Sequence, residues 1–346
     1  MNRNRLEQLC LLCGTSGREH AVRDFILKEI RATGIPESDI RTDRLGNLLV
    51  HKKGRKPANA KVLFSAHMDE VALMVTAVHE DGTLAFDCVG GVSAAAVIGR
   101  QVKVGAAGIN GVIGAKPVHH LSAKERKEPA EMSALYCDIG TGSAAETAEC
   151  GVSAGDIIYF DSIPQTIGDS FAAKAIDDRF GCEILLALLA RDLPYDMEFA
   201  FVVQEEVGLR GASVAARAVD PDLAVVFEAT TAADLPDSRG ADRVCTLGGG
   251  AVISLIDGRT VYDKALYDFA VQLCESRGIP WQTKTKVAGG NDAGAIQNAG
   301  SGVRVAAVSV PCRYLHAPVS VIRQTDAEAC EALAAALAET LPEGSV

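Results

Sequence analysis

Two hydrophobic periods alternate along this chain and divide it into segments. Residues 5–13 and 18–32 carry apolar side chains at helical spacing. Ser16 stands where a cap for the second helix is expected, and Gly34-Ile35-Pro36 ends it. Short strands are predicted over 39–43 and 46–51 about a Leu45-Gly46 turn, and then a compact apolar strand over 61–66. From about 72 to 163 the texture changes to short strands and tight turns. Ala72–His79 and Thr83–Cys88 flank Glu80-Asp81-Gly82 as a hairpin, and Gln101–Val104, Gly111–Gly114 and Asp156–Phe160 continue the pattern. After Pro164 helices and strands alternate again. Helices are predicted at Phe180–Ala190, 211–218, Lys264–Arg277 and 325–341; strands at 198–203, Leu223–Phe227, Ala251–Ile256, Gln282–Val287 and Val303–Val310. The pattern predicts an α/β fold, a central mixed sheet flanked by helices, with an inserted small β-barrel-like domain. The expected division is 1–70 plus 164–346 for the α/β part and 71–163 for the insertion.

The apolar strands end in unusual company. Phe199–Val203 runs through Gln204 into Glu205-Glu206, and isolated charges at a buried strand end must be neutralised or paired. Adjacent strand residues point to opposite faces, so the two glutamates are expected to do different work, one binding a metal and one handling a proton. The strand at 61–66 leads to His67, with Asp69 two residues on and placed to orient the ring. Leu223–Phe227 ends at Glu228, with Asp234 as an alternative six residues later, and Val303–Val310 leads toward His316. Asp177 precedes a helix. Each has a plainer reading alone: a solvated acidic turn, a surface histidine, or an acid complementing a helix dipole. Together they are more specific, because open α/β sheets gather their sites at the carboxyl ends of strands. Two histidines and three or four carboxylates suit Zn²⁺, Co²⁺ or Mn²⁺ and exceed what one tetrahedral ion needs, so two ions sharing an aspartate would use the set fully.

Composition narrows the partners. The 346 residues carry a net charge of −11, which argues against nucleic acid or an anionic membrane as partner. No apolar run is long enough to span a bilayer, and Met1-Asn2-Arg3-Asn4-Arg5 leads into an amphipathic segment, so a cytoplasmic protein is expected. Its 10 cysteines lie mostly in apolar segments and read as reduced core residues, Cys10 and Cys13 included. His119-His120 has no carboxylate cluster nearby and reads as structural or as an oligomer contact; the charged run 123–128 reads as an exposed loop or short helix.

The order His67-x-Asp69, Asp177-Asp178-Arg179, Glu205-Glu206, Glu228, His316 resembles the co-catalytic dimetal aminopeptidases. Four flanking stretches narrow it: Ser65 to Val71, Lys174 to Arg179, Gly289-Gly290-Asn291-Asp292-Ala293-Gly294, and Arg313 to Pro318. Together they resemble the tetrahedral aminopeptidases, family 42 of the metallopeptidases, over nearly the whole chain. Gly111 to Pro117 and Leu135 to Gly140 resemble that family's β-rich dimerisation domain. The resemblance implies two divalent ions per subunit, Zn²⁺ or Co²⁺, with Asp177 bridging them. His67 and Glu228 would complete one site, Glu206 and His316 the other. Glu205 would be the general base and Asp69 would orient His67. Glu228 stands where the family often has aspartate, and Asn291 where threonine is expected. Peptides are the implied substrates, and self-association into a dodecamer built from dimers the implied assembly. A deacylase or carboxypeptidase of the same clan, or a non-catalytic shell subunit, are the other readings. One tryptophan in the chain disfavours a sugar-binding platform.

Overall fold

A computed structural model describes residues 1–344. Its larger sheet has 11 strands. Four central ones run parallel, in the order Met197–Val202, Val62–His67, Leu223–Thr231 and Arg304–Arg313. Leu48–Lys52 and Ile40–Thr42 extend one side antiparallel. Ser320–Arg323, Ser170–Ala173 and Gln165–Ile167 extend the other, and Ala251–Ile253 pairs with both Arg304–Arg313 and Trp281–Thr283. The mixed sheet flanked by helices is therefore the architecture that the strand and helix periods predict.

The parallel strands are buried on both faces, which is why they read as continuous apolar runs. Phe64 sits between Phe199 and Phe227, with ring centroids 6.1 and 5.1 Å away in edge contact, so three neighbouring strands share one aromatic layer. Helices Ile176–Leu189 and Gln324–Thr340 cover this face with leucine and alanine. Helix Arg210–Val219 packs on the opposite face through Ala212, Ala215 and Ala216.

Between Ala72 and Phe160 the chain forms a closed six-stranded barrel: Ala72–Val78, Leu84–Val89, Tyr136–Asp138, Ile109–Gly114, Gln101–Val104 and Ile157–Phe160. Its own core includes Leu73, Leu84, Val104, Ile113 and Ile158. The end of Leu84–Val89 reaches back to the sheet. A Cβ on Gly90 (φ +84°) would lie 2.8 Å from Val71 and 3.2 Å from Glu206 Cβ, so this approach needs a glycine.

Some local expectations change. Ser16 does not cap the second helix; helix His20–Ala32 follows Glu19, and the Ser16 hydroxyl donates to Asp69 Oδ2 at 2.5 Å. The strand expected over 282–287 is shorter, Trp281–Thr283, and releases Lys284 and its successors into a loop beside the sheet's carboxyl edge. His119 and His120 lie in an exposed turn, Val118–His120, with ring centroids 4.5 Å apart.

Candidate metal centre

The parallel register places the chemistry. Val202 lies beside His67, and Val226 beside Ser65, so Glu228 reaches the level of His67 on the next strand. Strand Met197–Val202 ends before the glutamate pair, and Glu205 and Glu206 do not alternate across a strand as expected. They lie in a turn whose successive main-chain N–H groups all meet side-chain acceptors. Val203 donates to Asn47 Oδ1 (3.0 Å), Gln204 to Glu19 Oε1 (3.1 Å), Glu205 to Asp69 Oδ1 (3.0 Å) and Glu206 to Asp69 Oδ2 (3.2 Å). Gln204 takes φ +58°. Four satisfied donors hold this turn, and both glutamates enter one cluster.

Asp177 lies at the centre of that cluster. Its Oδ1 is 3.3 Å from His67 Nε2 and its Oδ2 is 3.7 Å from His316 Nε2. Glu228 Oε2 stands 3.7 Å from His67 Nε2, and Glu206 Oε2 stands 3.5 Å from His316 Nε2. On the other edge of the His67 ring, Nδ1 meets the Asp69 carbonyl oxygen at 3.1 Å and Asp69 Oδ1 at 3.4 Å. The structure thus brings His67, Asp69, Asp177, Glu205, Glu206, Glu228 and His316 to one edge of the sheet. Asp234 is elsewhere: Arg313 binds it bidentately at 2.6 and 2.8 Å, and Leu247 N–H adds a third bond.

Electrostatics shows what the cluster lacks. Burial pushes Glu205 up to about 8 and Glu206 up to about 7, with neighbouring carboxylates adding to it. Burial also drives Glu228 well above the usual carboxylate range. Burial opposes charge on His67, yet Glu228, Asp177 and Asp69 hold its pKa well above the ordinary value. His316 is raised to about 9, first by its contact with Asp177. Burial likewise opposes charge on Asp177, but the two imidazoles hold its carboxyl low. The group is short of positive charge and gathers protons to make up for it.

A divalent cation fits that deficit. Asp177 Oδ1 and Glu228 Oε1 are buried and have no hydrogen-bond partner among the described residues. His67, Asp177 and Glu206 offer ligand atoms within 4.8 Å of one another, as do His67, Asp178 and Glu228. Asp178 is less suited to a ligand role, because its oxygens already accept from Gly181 N–H (2.8 Å) and His67 N–H (3.2 Å). It anchors the start of the helix and the strand end instead. The nitrogen and oxygen donors match the preferences of Zn²⁺, Co²⁺ and Mn²⁺.

Below the cluster lies a buried cation network that the sequence reading did not resolve. Arg179 is fully buried and donates to the carbonyl oxygens of Met68 (2.9 Å), Leu9 (2.6 Å) and Gly14 (3.2 Å) and to Glu70 Oε1 (3.2 Å). Lys174 Nζ adds bonds of 2.8 and 2.7 Å to Glu70. The loop from Met68 to Glu70, which carries Asp69, is thereby tied to two other segments. Beside the cluster opens a cavity of about 270 Å³ that Asp177, Glu205, Glu228 and His316 share with Thr230, Ser254, Lys284, Asn291 and Ser309. Lys284 carried no signal in the sequence beyond a lysine inside the predicted strand Gln282–Val287. Asp292, which the sequence offered only as part of a flanking stretch without a role of its own, is fully buried with neither oxygen partnered among the described residues.

With this geometry the chain is similar to known proteins throughout its length. A family model described as M42 glutamyl aminopeptidase matches residues 46–333. A putative aminopeptidase of Acetivibrio thermocellus is 35% identical over 323 residues, 93% of each chain. The solved TET aminopeptidase of a Thaumarchaeota archaeon from marine sediment superposes with a TM-score of 0.92 at 30% identity, covering 98% of this chain and 96% of that one. The Pyrococcus horikoshii TET1 peptidase, described as assembling into a tetrahedron or a large octahedral shell, gives 0.82 at 33% identity, covering 97% and 99%.

Proposed function

Because this chain belongs to the M42 glutamyl aminopeptidase family, and so is a peptide hydrolase, we propose that it removes the amino-terminal residue of peptides at the cluster around Asp177, with two divalent cations, zinc or cobalt. The observation that carries this reading is the pair of contacts from one carboxylate to two histidines, 3.3 Å to His67 and 3.7 Å to His316. In this assignment Asp177 would be shared by the two cations, His67 and Glu228 would hold one of them, and Glu206 and His316 the other.

When bound, the cations would polarise the scissile carbonyl and ease deprotonation of water, toward a pKa of about 7. The remaining steps belong to the chain. Glu205 faces the same cavity as Asp177 and His316 and carries no ligand role. Its carboxylate takes the proton of the attacking water and returns it to the leaving amine nitrogen, a general acid–base role worth typically about 10²–10⁴-fold. Asp69 fixes the His67 ring through Nδ1 and the glutamate turn through two main-chain N–H groups, so one carboxylate sets both the ligand and the base.

The barrel suggests the assembly. We assign residues 71–163 as an inserted dimerisation domain, and we expect dimers to build a dodecamer; the shell-forming relative supports self-association. Among the described residues no helix is long and apolar enough to cross a membrane. The free cysteines support a reducing, cytoplasmic setting. The test is an aminoacyl-amide panel on purified protein, with and without chelator, beside elemental analysis. We expect chelator-sensitive release of amino-terminal residues and two equivalents of metal per subunit. Activity that survives complete metal removal would overturn the reading.

A further inference from the structure

Helix Ala293–Gln297 lies on the sheet face that carries the ligands. Its Ala293 and Ile296 pack with Leu63, Val202 and Val226, and alternation along those strands puts His67 and Glu228 on the same face. The helix is followed by strand Arg304–Arg313, whose first residue pairs with Leu223 at the amino edge of the sheet, so the helix start lies toward the carboxyl edge. There Gly289, Gly290 and Asn291 line the cavity that Glu205 shares. Asp292 comes next, behind that wall. It does not cap the helix: neither oxygen meets a donor among the described residues, and none of the side chain reaches solvent. A carboxylate buried without a donor is so costly that the group keeps its proton. Burial, then the charge of Glu205, raise its pKa well above the ordinary carboxylate value; Asp69 and Asp177 add to this and His67 opposes it. A protonated carboxyl has one hydroxyl to place. Asp69 already accepts from Ser16 and from the N–H groups of Glu205 and Glu206, and Asp177 serves the two histidines. The Glu205 carboxylate is the acceptor that remains.

We infer that Asp292 is a positioning residue for the base: it stays a carboxylic acid and donates its hydroxyl to the Glu205 carboxylate, fixing the plane of that carboxylate and leaving its second oxygen to face the cavity. The inference rests on the proposed reading of Glu205 as the general base. The proton on Asp292 is not consumed. Glu205 takes the proton of the attacking water on its free oxygen and returns it to the leaving amine, while the hydroxyl of Asp292 holds the other oxygen throughout. A base held in this way needs no reorganisation at the moment of proton transfer.

The experiment combines steady-state kinetics on the aminoacyl-amide panel, elemental analysis and infrared difference spectra, all on purified protein supplied with Zn²⁺ or Co²⁺. We expect Asp292→Ala to lower kcat about ten- to a hundredfold, as loss of a hydrogen bond to a charged group predicts, with KM nearly unchanged and metal content at the natural level. Asp292→Asn, whose amide also donates, should recover most of that loss. Placed on Glu205→Gln, Asp292→Ala should cost less than about twofold more, because a residue that acts through Glu205 has nothing further to lose. The infrared spectrum of the natural protein should show a protonated-carboxyl stretch that Asp292→Asn lacks. The positioning role is overturned if Asp292→Asn is as damaging as Asp292→Ala, which would mean that the charge matters. It is equally overturned if Asp292→Ala leaves kcat unmoved, loses metal, or costs its full factor in both backgrounds, or if the infrared band is absent. Should Asp292→Ala fail to fold, the infrared band and the kcat of Asp292→Asn decide. Turnover by the natural protein with any of those failures leaves the aminopeptidase reading intact. No turnover of any aminoacyl amide by the metal-loaded natural protein would overturn that underlying reading and the positioning role with it.

Discussion

Asp177 Oδ1 stands 3.3 Å from His67 Nε2, although 110 positions separate the two residues in the chain. The histidine ends a buried parallel strand, and the aspartate sits where the chain leaves Ser170–Ala173 and turns into helix Ile176–Leu189. Asp178 holds the junction, accepting from His67 N–H on one oxygen and from Gly181 N–H on the other. The imidazole and the carboxylate are thus positioned by main-chain bonds and do not depend on each other for placement. Such pre-organisation is what a metal site needs from its supporting residues.

The first prediction concerns the base. Glu205→Gln keeps the main-chain N–H that Asp69 accepts and nearly the same side-chain volume, but removes the proton acceptor. Turnover should fall by roughly 10²–10⁴-fold while metal content stays at the natural level. Steady-state kinetics beside elemental analysis checks both halves. Metal loss in this variant would mean that Glu205 is a ligand and that another group moves the proton.

The second concerns pH. In the cation-free protein His316 is raised to about 9, first by Asp177, and so carries a proton throughout the neutral range. Burial lifts Glu206 to about 7, so it too takes a proton as pH falls below that value. A cation needs the lone pairs that these protons occupy, so binding releases protons. Apparent affinity should therefore rise with pH between about 7 and 9. Titration calorimetry in buffers of different ionisation enthalpy reads the released protons directly. His316→Ala should remove about one of them at pH 7 and weaken one of the two sites. Affinity that is flat between pH 6 and 9 would contradict the ligand role of His316.

How much of this was readable from the chain depends on the range of the interaction concerned. The parallel strands were legible because burial on both faces writes an unbroken apolar run, as in Val62–Phe64 and Leu223–Phe227. His67, Glu228 and His316 were legible as polar residues following such runs. The glutamate pair was located but its geometry was not: the expected alternation assumed a strand, and four long-range side-chain acceptors replaced it with a turn. Ser16 matched a local capping pattern, yet its hydroxyl serves Asp69, 53 residues away. Lys284 left no trace because its meaning comes from the cavity it faces. Asp234 was separable from Glu228 only once Arg313 was seen to neutralise it.

The third prediction addresses the network beneath the site. Among the described residues Glu70 is the one carboxylate that pairs with both Lys174 and Arg179, and Gly14 N–H donates to it as well, at 3.1 Å. Glu70→Ala would leave two buried cations uncompensated, a change that costs about 3–5 kcal/mol. The urea midpoint should drop accordingly with little change in slope. Replacing Arg179 with methionine should cost less than Glu70→Ala, because Lys174 would still neutralise Glu70. The reverse ranking of the two variants would mean that the main-chain bonds of Arg179 outweigh the ion pairs.

The fourth prediction isolates Asp178 from the ligands that it supports. A Cβ placed on Gly181 would lie 2.4 and 2.6 Å from the two Asp178 oxygens, closer than real Cβ contacts allow. Gly181→Ala must therefore push the Asp178 side chain away, with an overpacking cost of about 1–3 kcal/mol. The displacement has a specific destination, because the oxygen being moved holds His67 N–H at 3.2 Å. His67 should shift relative to Asp177 and Glu228, and metal affinity should fall although no ligand has been altered. Purified Gly181→Ala should thus bind less metal at limiting concentration and regain activity when excess metal is supplied. A purely structural role for Gly181 would lower the melting temperature and leave the metal titration where it was. Comparing those two readouts on one variant decides whether Asp178 acts through the position of His67.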